Sequence, residues 1–134
     1  MVNRQLSKSE RLNSQLVIDK LFAGGNASMV AFPLRIVYMK QSIGAEVGCV
    51  DVPPVSVLIS VPKKRFRHAV DRNRMKRLIR EAYRTNKHIL WEMLKDKDYR
   101  IVLAFVCITD KMPSYAMVRK SVSKALTRIS ESLG

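Results

Sequence analysis

Residues 71–84 set their apolar side chains at helical spacing, and a short run of strand character lies on each side of them. On a helix turning about 100° per residue, Met75, Leu78, Ile79, Ala82 and Tyr83 share one arc of about 140°. Before them comes Val55–Val61 (VSVLISV), stopped by Pro62; after them comes Tyr99–Cys107 (YRIVLAFVC), preceded by Asp98. Strand, amphipathic helix and strand in that order predict a β-α-β unit with its two strands parallel. The default hand of such a crossover is right.

The rest of the chain adds elements around this unit. Ser14 is placed to cap a helix over 15–23 that Gly24-Gly25 ends. Leu34–Lys40 (LRIVYMK) reads as an earlier strand, and 41–54, with two glycines and Pro53-Pro54, as a loop. The basic helix begins at about His68–Asp71 and continues or breaks near Asn86, with Ile89–Leu94 as a further apolar turn. Trp91 in that turn reads as core. Ser114 caps a last helix over 115–132. The order is α-β-β-α-β-α, with room for an extra strand near residues 28–32, and a long hairpin pairing the first two strands antiparallel is the simple topology. A chain of 134 residues makes one domain with a proper core, and flexible ends are expected over 1–13 and 130–134.

The wet side of the central helix is the unusual part. Asn73, Arg74, Lys76, Arg77, Arg80 and Arg84 lie opposite the apolar arc, with Arg72 at its edge. Over residues 63–84, ten Lys and Arg stand against Asp71 and Glu81, a surplus of +8 within a whole-chain net charge of +14. A merely solvated helix face mixes Glu with Lys to gain pairs one turn apart. This face is almost all cation and mostly Arg, whose planar fork matches phosphate oxygens. The pattern points to nucleic acid. The N-terminal stretch adds Arg4, Lys8 and Arg11 as a basic arm and has no hydrophobic signal core.

Other chemistries find little support. The longest apolar run, Ile101–Ile108, suits a buried strand and is too short to span a bilayer. Cys49 and Cys107 have no CxxC partner, and Cys107, near the end of that run, reads as a packed thiol, which suits a reducing cytoplasm. Asp51, Asp71, Glu81, Glu92, Asp96, Asp98 and Asp110 form no paired-carboxylate motif that would hold metal ions for phosphodiester hydrolysis. His68 and His88 lack ligand spacing, and Gly24-Gly25 lacks the context of a phosphate loop. The expectation is no catalytic residue and no metal ligand.

One long segment carries a resemblance. A strand at Val57 and beyond, Lys63-Lys64, Ala69-Val70, and then Arg72-Asn73-Arg74-Met75-Lys76-Arg77-Leu78-Ile79-Arg80-Glu81-Ala82 resemble the signature of the protein subunit of bacterial ribonuclease P. Weaker agreement at Arg11-Leu12, Lys20-Leu21-Phe22, Gly25 and Lys97-Asp98-Tyr99 extends it over roughly residues 6–128. The resemblance implies an α+β sandwich in the order α-β-β-β-α-β-α, with a four-stranded sheet, three helices and a left-handed crossover carrying the basic helix. It implies an accessory role beside a catalytic RNA subunit that binds the Mg²⁺. Arg72, Asn73, Arg74, Lys76, Arg77 and Arg80 would contact that RNA. A cleft between the first helix and the sheet would hold the single-stranded 5′ leader of precursor tRNA, with Arg11, Phe22, Tyr38, Lys63 and Lys64 as its contacts. Neither a membrane nor an obligate protein partner is expected. This chain departs from the family pattern at Ile18, where an aromatic is usual, at Phe105, where Arg is common, and at Pro62 and His68. A ribosomal-protein-like binder of ribosomal RNA is the alternative. A DNA-binding helix is disfavoured, because no helix-turn-helix spacing precedes the basic helix.

Overall fold

The structure, a computed structural model, describes residues 15–23, 27–42, 54–95 and 97–133. Its elements in chain order are α1 (Gln15–Phe22), β1 (Ala27–Ala31), β2 (Leu34–Ser42), β3 (Val55–Ser60), α2 (Ala69–Asn86), α3 (His88–Leu94), β4 (Tyr99–Cys107) and α4 (Tyr115–Leu133). The extra strand near 28–32 is thus present. The proposed cap Ser14 and most of the loop over 41–54 lie outside the described residues.

The four strands form one sheet in the order β1-β2-β4-β3. β1 and β2 pair antiparallel through a tight turn, with Ala31 opposite Leu34. β2 pairs antiparallel with β4, and β3 runs parallel to β4, as the β-α-β pattern predicts. The hairpin expected between Leu34–Lys40 and Val55–Val61 does not form, because β4 lies between them. The reason is in β4 itself. Ile101, Val102, Leu103, Ala104 and Phe105 are all buried, so both faces of this strand need cover and both edges a neighbour.

Alternation along the strands divides the core in two. Leu34, Ile36, Val55, Val57, Ile101, Leu103 and Phe105 face α2, α3 and α4 in the larger cluster. Val37, Val102 and Ala104 face the other way and pack on Leu21 of α1, with Ile18 and Met39 beside them. The sheet therefore carries three helices on one face and α1 on the other.

Among the described residues, four helices stand where the resemblance implies three. Lys87, itself in helical conformation, separates α2 from α3. The hydroxyl of Thr85 donates to the Glu81 and Ala82 carbonyls, and the Asn86 amide donates to the Ala82 carbonyl at 2.8 Å. Such side-chain bonds compete with the backbone ladder at the end of a helix. Trp91 is half-buried against the core and donates its indole N–H to the Tyr83 hydroxyl at 3.2 Å. The buried Lys87 lies 4.6 Å from the Trp91 ring centre. α4 begins as the sequence predicts: the Ser114 hydroxyl accepts the Met117 N–H at 3.2 Å. It continues to Leu133, so residues 130–133, expected as a free end, form its last turn. Cys107 is buried, and its thiol donates to the Thr109 carbonyl at 3.3 Å. Among the described residues, no helix is long and apolar enough to cross a membrane.

Candidate nucleic-acid interface

Pro62 ends β3, and the chain turns at once: the Arg65 N–H donates to the Pro62 carbonyl at 3.0 Å. Lys63 and Lys64 are exposed on this turn. His68, in extended conformation, precedes α2 without a side-chain cap. Its carbonyl accepts the N–H groups of Asp71 and Arg72, both at 3.1 Å. Asp71 puts an acid in the first turn, where the helix dipole favours one.

Along α2 the two faces separate as the periodicity predicts, with one correction. Met75, Ile79, Ala82 and Tyr83 are buried, and the Tyr83 ring meets Phe105 at 6.0 Å between centres. Leu78, assigned to the same stripe, is only half-buried, because it sits at the edge of the arc. Asn73, Arg74 and Arg77 are exposed, and Lys76 and Arg80 are half-buried. Arg72 differs from the rest. Its guanidinium donates to the Phe66 carbonyl at 3.0 Å and the Arg67 carbonyl at 2.8 Å, tying the entry segment to the helix. At the far end Arg84 pairs with Glu81, with Nε donating to Oε2 at 3.0 Å. That hydrogen bond holds the Glu81 carboxyl below the ordinary carboxylate range. Glu81 is thereby paired within the helix, and Arg74 and Arg77 stand exposed with Lys76 half-buried between them in sequence.

The residues assigned to a leader do not gather in one place. Phe22 is 47% exposed at the end of α1, one residue after the buried Leu21. Tyr38 lies on the opposite face of the sheet, against the larger core cluster, and its hydroxyl meets that of Ser132 in α4 at 3.2 Å. Strand parity decides this: Val37 and Met39 point to α1, so Tyr38 points away from it. Arg11 lies outside the described residues. Of the departures from the family pattern, Ile18 packs beside Leu21, and Phe105 is core on the α2 side. Phe105 therefore takes no place on the surface that α1 borders.

One cation on the α1 side was not singled out by the sequence. Arg100 is half-buried and donates to the Gln41 side-chain oxygen at 3.0 Å and to the Ser56 hydroxyl. Its burial lowers its pKa from the ordinary value, yet a guanidinium stays charged. The legible signal was an Arg inside an otherwise apolar strand. Among the described residues, no three His, Cys, Asp or Glu side chains group where they could hold a metal ion.

The family model described as Ribonuclease P matches residues 6–130. A ribonuclease P protein component of Porphyromonas gingivalis is 45% identical over 124 residues, spanning 92% of this chain and 85% of that protein. A ribonuclease P protein component of Chlorobaculum tepidum is 34% identical over 130 residues, spanning 92% of this chain and 82% of that protein. In fold, the chain is similar to the ribonuclease P protein of Thermotoga maritima, with a TM-score of 0.63 at 21% identity, covering 89% of this chain and 96% of that one.

Proposed function

The chain belongs to the ribonuclease P protein family, and on that premise we propose how it serves the endoribonuclease that matures the 5′ end of tRNA. The protein is the accessory subunit. It docks on the RNA subunit through the exposed cations of α2 and holds the 5′ leader of precursor tRNA on the side of the sheet that bears α1. Bond cleavage belongs to the RNA, with its Mg²⁺ ions activating the water and stabilising the charge that develops.

The single observation that carries this reading is the division of α2. Met75, Ile79, Ala82 and Tyr83 fix one side in the core, so Arg74, Lys76 and Arg77 are held on a rigid element facing out. Closely set cations on a rigid rod meet closely set phosphates without first losing their own freedom. Each phosphate neutralised adds about −0.7 to −0.9 to the slope of log affinity against log salt. Lowering repulsion among RNA phosphates also reduces the Mg²⁺ needed to fold the RNA. For the leader, Lys63, Lys64 and the exposed ring of Phe22 are the remaining candidates on the described residues. A stacked base contributes about 1–3 kcal/mol.

Reconstitution tests the proposal. Added to a bacterial ribonuclease P RNA at low Mg²⁺, the chain should sharply raise both precursor-tRNA affinity and cleavage, while alone it cleaves nothing. Binding should strengthen as the leader is lengthened and fall back for mature tRNA. Rates and affinities that do not change on adding the protein would remove the assignment. Equal binding of precursor and mature tRNA would favour a general binder of structured RNA.

A further inference from the structure

We propose that α4 supplies a second row of phosphate ligands, and that the groove between α2 and α4 seats a strand of the RNA subunit. This rests on the reading of the chain as a ribonuclease P protein and extends it to a surface the α2 motif does not include.

Four depressions adjoin along α2 and α4. A depression of about 370 Å³ is lined by Arg74, Arg77, Leu78, Arg80 and Glu81 of α2 and by Tyr115 of α4, and Glu81 is the one held by Arg84. Tyr115 also borders the next depression, of about 450 Å³, with Thr85, Asn86 and Arg119. Asn86 and Arg119 are shared in turn with a third, of about 590 Å³, which adds Lys120 and Lys124. Those two lysines line a fourth, of about 310 Å³, that ends beside Ala31 and Phe32 at the β1–β2 turn. The depressions thus follow one another, through shared lining residues, from the middle of α2 past Tyr115 and along α4 toward the β1–β2 turn.

Its α4 wall has the charge pattern that set α2 apart. Val118, Ser121, Val122, Ala125, Leu126 and Ile129 are buried, which turns Arg119, Lys120, Lys124 and Arg128 outward. The only acid in this helix is Glu131, in its last turn. Lys120, Lys124 and Arg128 follow one another at intervals of four, the spacing at which like charges oppose a helix. Among the described residues, no ion pair reaches Arg119, Lys120 or Lys124. The three depressions along α4 have no acidic lining residue. Such a wall is complementary to a polyanion.

The RNA subunit is the occupant because of where the groove lies. At one end it opens beside Arg74, Arg77 and Arg80 of the α2 docking ridge, so an RNA held along α4 continues into that ridge. α1, which borders the proposed leader surface, is on the opposite face of the sheet.

The test measures RNA-subunit binding across a salt series for the Arg119→Ala, Lys120→Ala, Lys124→Ala triple variant. An Arg74→Ala, Arg77→Ala variant is carried in parallel. The triple variant should bind the RNA subunit at least ten-fold more weakly near 0.15 M salt, with a slope shallower by about 2, the loss of three phosphate contacts. The charge-keeping triple, Arg119→Lys, Lys120→Arg, Lys124→Arg, should bind as the parent does. All three positions are exposed, and a melting curve checks that the fold is kept; a Lys120→Gln, Lys124→Gln pair carries the same test if the triple does not fold. Unchanged RNA-subunit affinity in the triple variant, with weakened binding in the α2 variant, overturns the groove and leaves the family role intact. Loss confined to precursor-tRNA affinity overturns it too, since the occupant would then be substrate. Unchanged binding in both variants takes down the docking role itself.

Discussion

Arg72 and Arg74 stand two residues apart in one basic run, yet their surroundings assign them different roles. The Arg72 guanidinium donates to the carbonyls of Phe66 and Arg67 at the entry to α2. Arg74 is exposed beside the α2–α4 groove. Arg72→Ala should therefore lower stability by about 1.5–3 kcal/mol, the range for hydrogen bonds that involve a charged group, and Arg74→Ala should leave the melting temperature within error. Equal melting curves for the two would show that the Arg72 clamp contributes nothing. The sequence could not separate them, because spacing places a Cα on a face but does not say which carbonyls lie within reach of its side chain. Cys107 is a residue-scale case that was legible: an apolar run closing on Cys reads as a packed thiol, and the thiol is buried. Burial pushes its pKa up, with the Thr109 contact and nearby Arg65 acting in the opposite direction. The folded thiol thus stays protonated at a pH where the unfolded one, near about 8.5, has ionised. Stability from this group is complete below that value and declines as pH rises toward the folded pKa. Chemical denaturation of parent and Cys107→Ala between neutral pH and about pH 10 should show the parent losing more on alkalinisation; parallel curves would count against the buried, neutral thiol.

At the scale of the element, periodicity located α2 closely and told its two sides apart, because a long helix with one dry face leaves a strong signal. It treated Leu78 and Ile79 as equals, and the structure does not: Ile79 is fully buried, while Leu78 borders the groove that Arg74 and Arg77 line. Ile79→Ala should cost about 2–5 kcal/mol, the usual range for a large aliphatic side chain cut to Ala in a core. Leu78→Ala should cost clearly less. The Arg74→Ala, Arg77→Ala pair should leave the melt unchanged and weaken RNA-subunit binding, with the salt slope shallower by about 1.4–1.8. A melt in which Leu78→Ala matches Ile79→Ala would move the edge of the dry face. Strand pairing was less legible. A local reading joins neighbours in sequence, and so put Leu34–Lys40 beside Val55–Val61. The cue against that was the unbroken apolar run of Ile101–Ile108, which asks for cover on both faces and so for the middle of a sheet. The placement of Tyr38 on the α4 side follows from pairing and parity together, and a motif carries neither.

For the whole molecule, the decisive quantity is a net charge of +14 on 134 residues. Two of the helices on the same face of the sheet, α2 and α4, turn cations outward, so much of that charge is concentrated on one side. The fold brings the charges closer together than the extended chain does, and their mutual repulsion opposes the native state. Salt should relieve this. The screening length falls from about 30 Å at 0.01 M to about 8 Å at 0.15 M ionic strength. The melting temperature of the RNA-free protein should rise over that interval rather than stay flat. Screening alone would make chloride and phosphate equivalent at equal ionic strength. Binding would not: anions that fit the arginine fork prefer the folded state, where the cations are gathered, and stabilise it by mass action. Phosphate should therefore raise the melting temperature more than chloride at matched ionic strength, and the excess should shrink when Arg74 and Arg77 are replaced by Ala. Identical responses to the two anions would mean that the ridge acts as diffuse charge rather than as a set of phosphate sites. The salt slopes expected for RNA docking would then need a different origin.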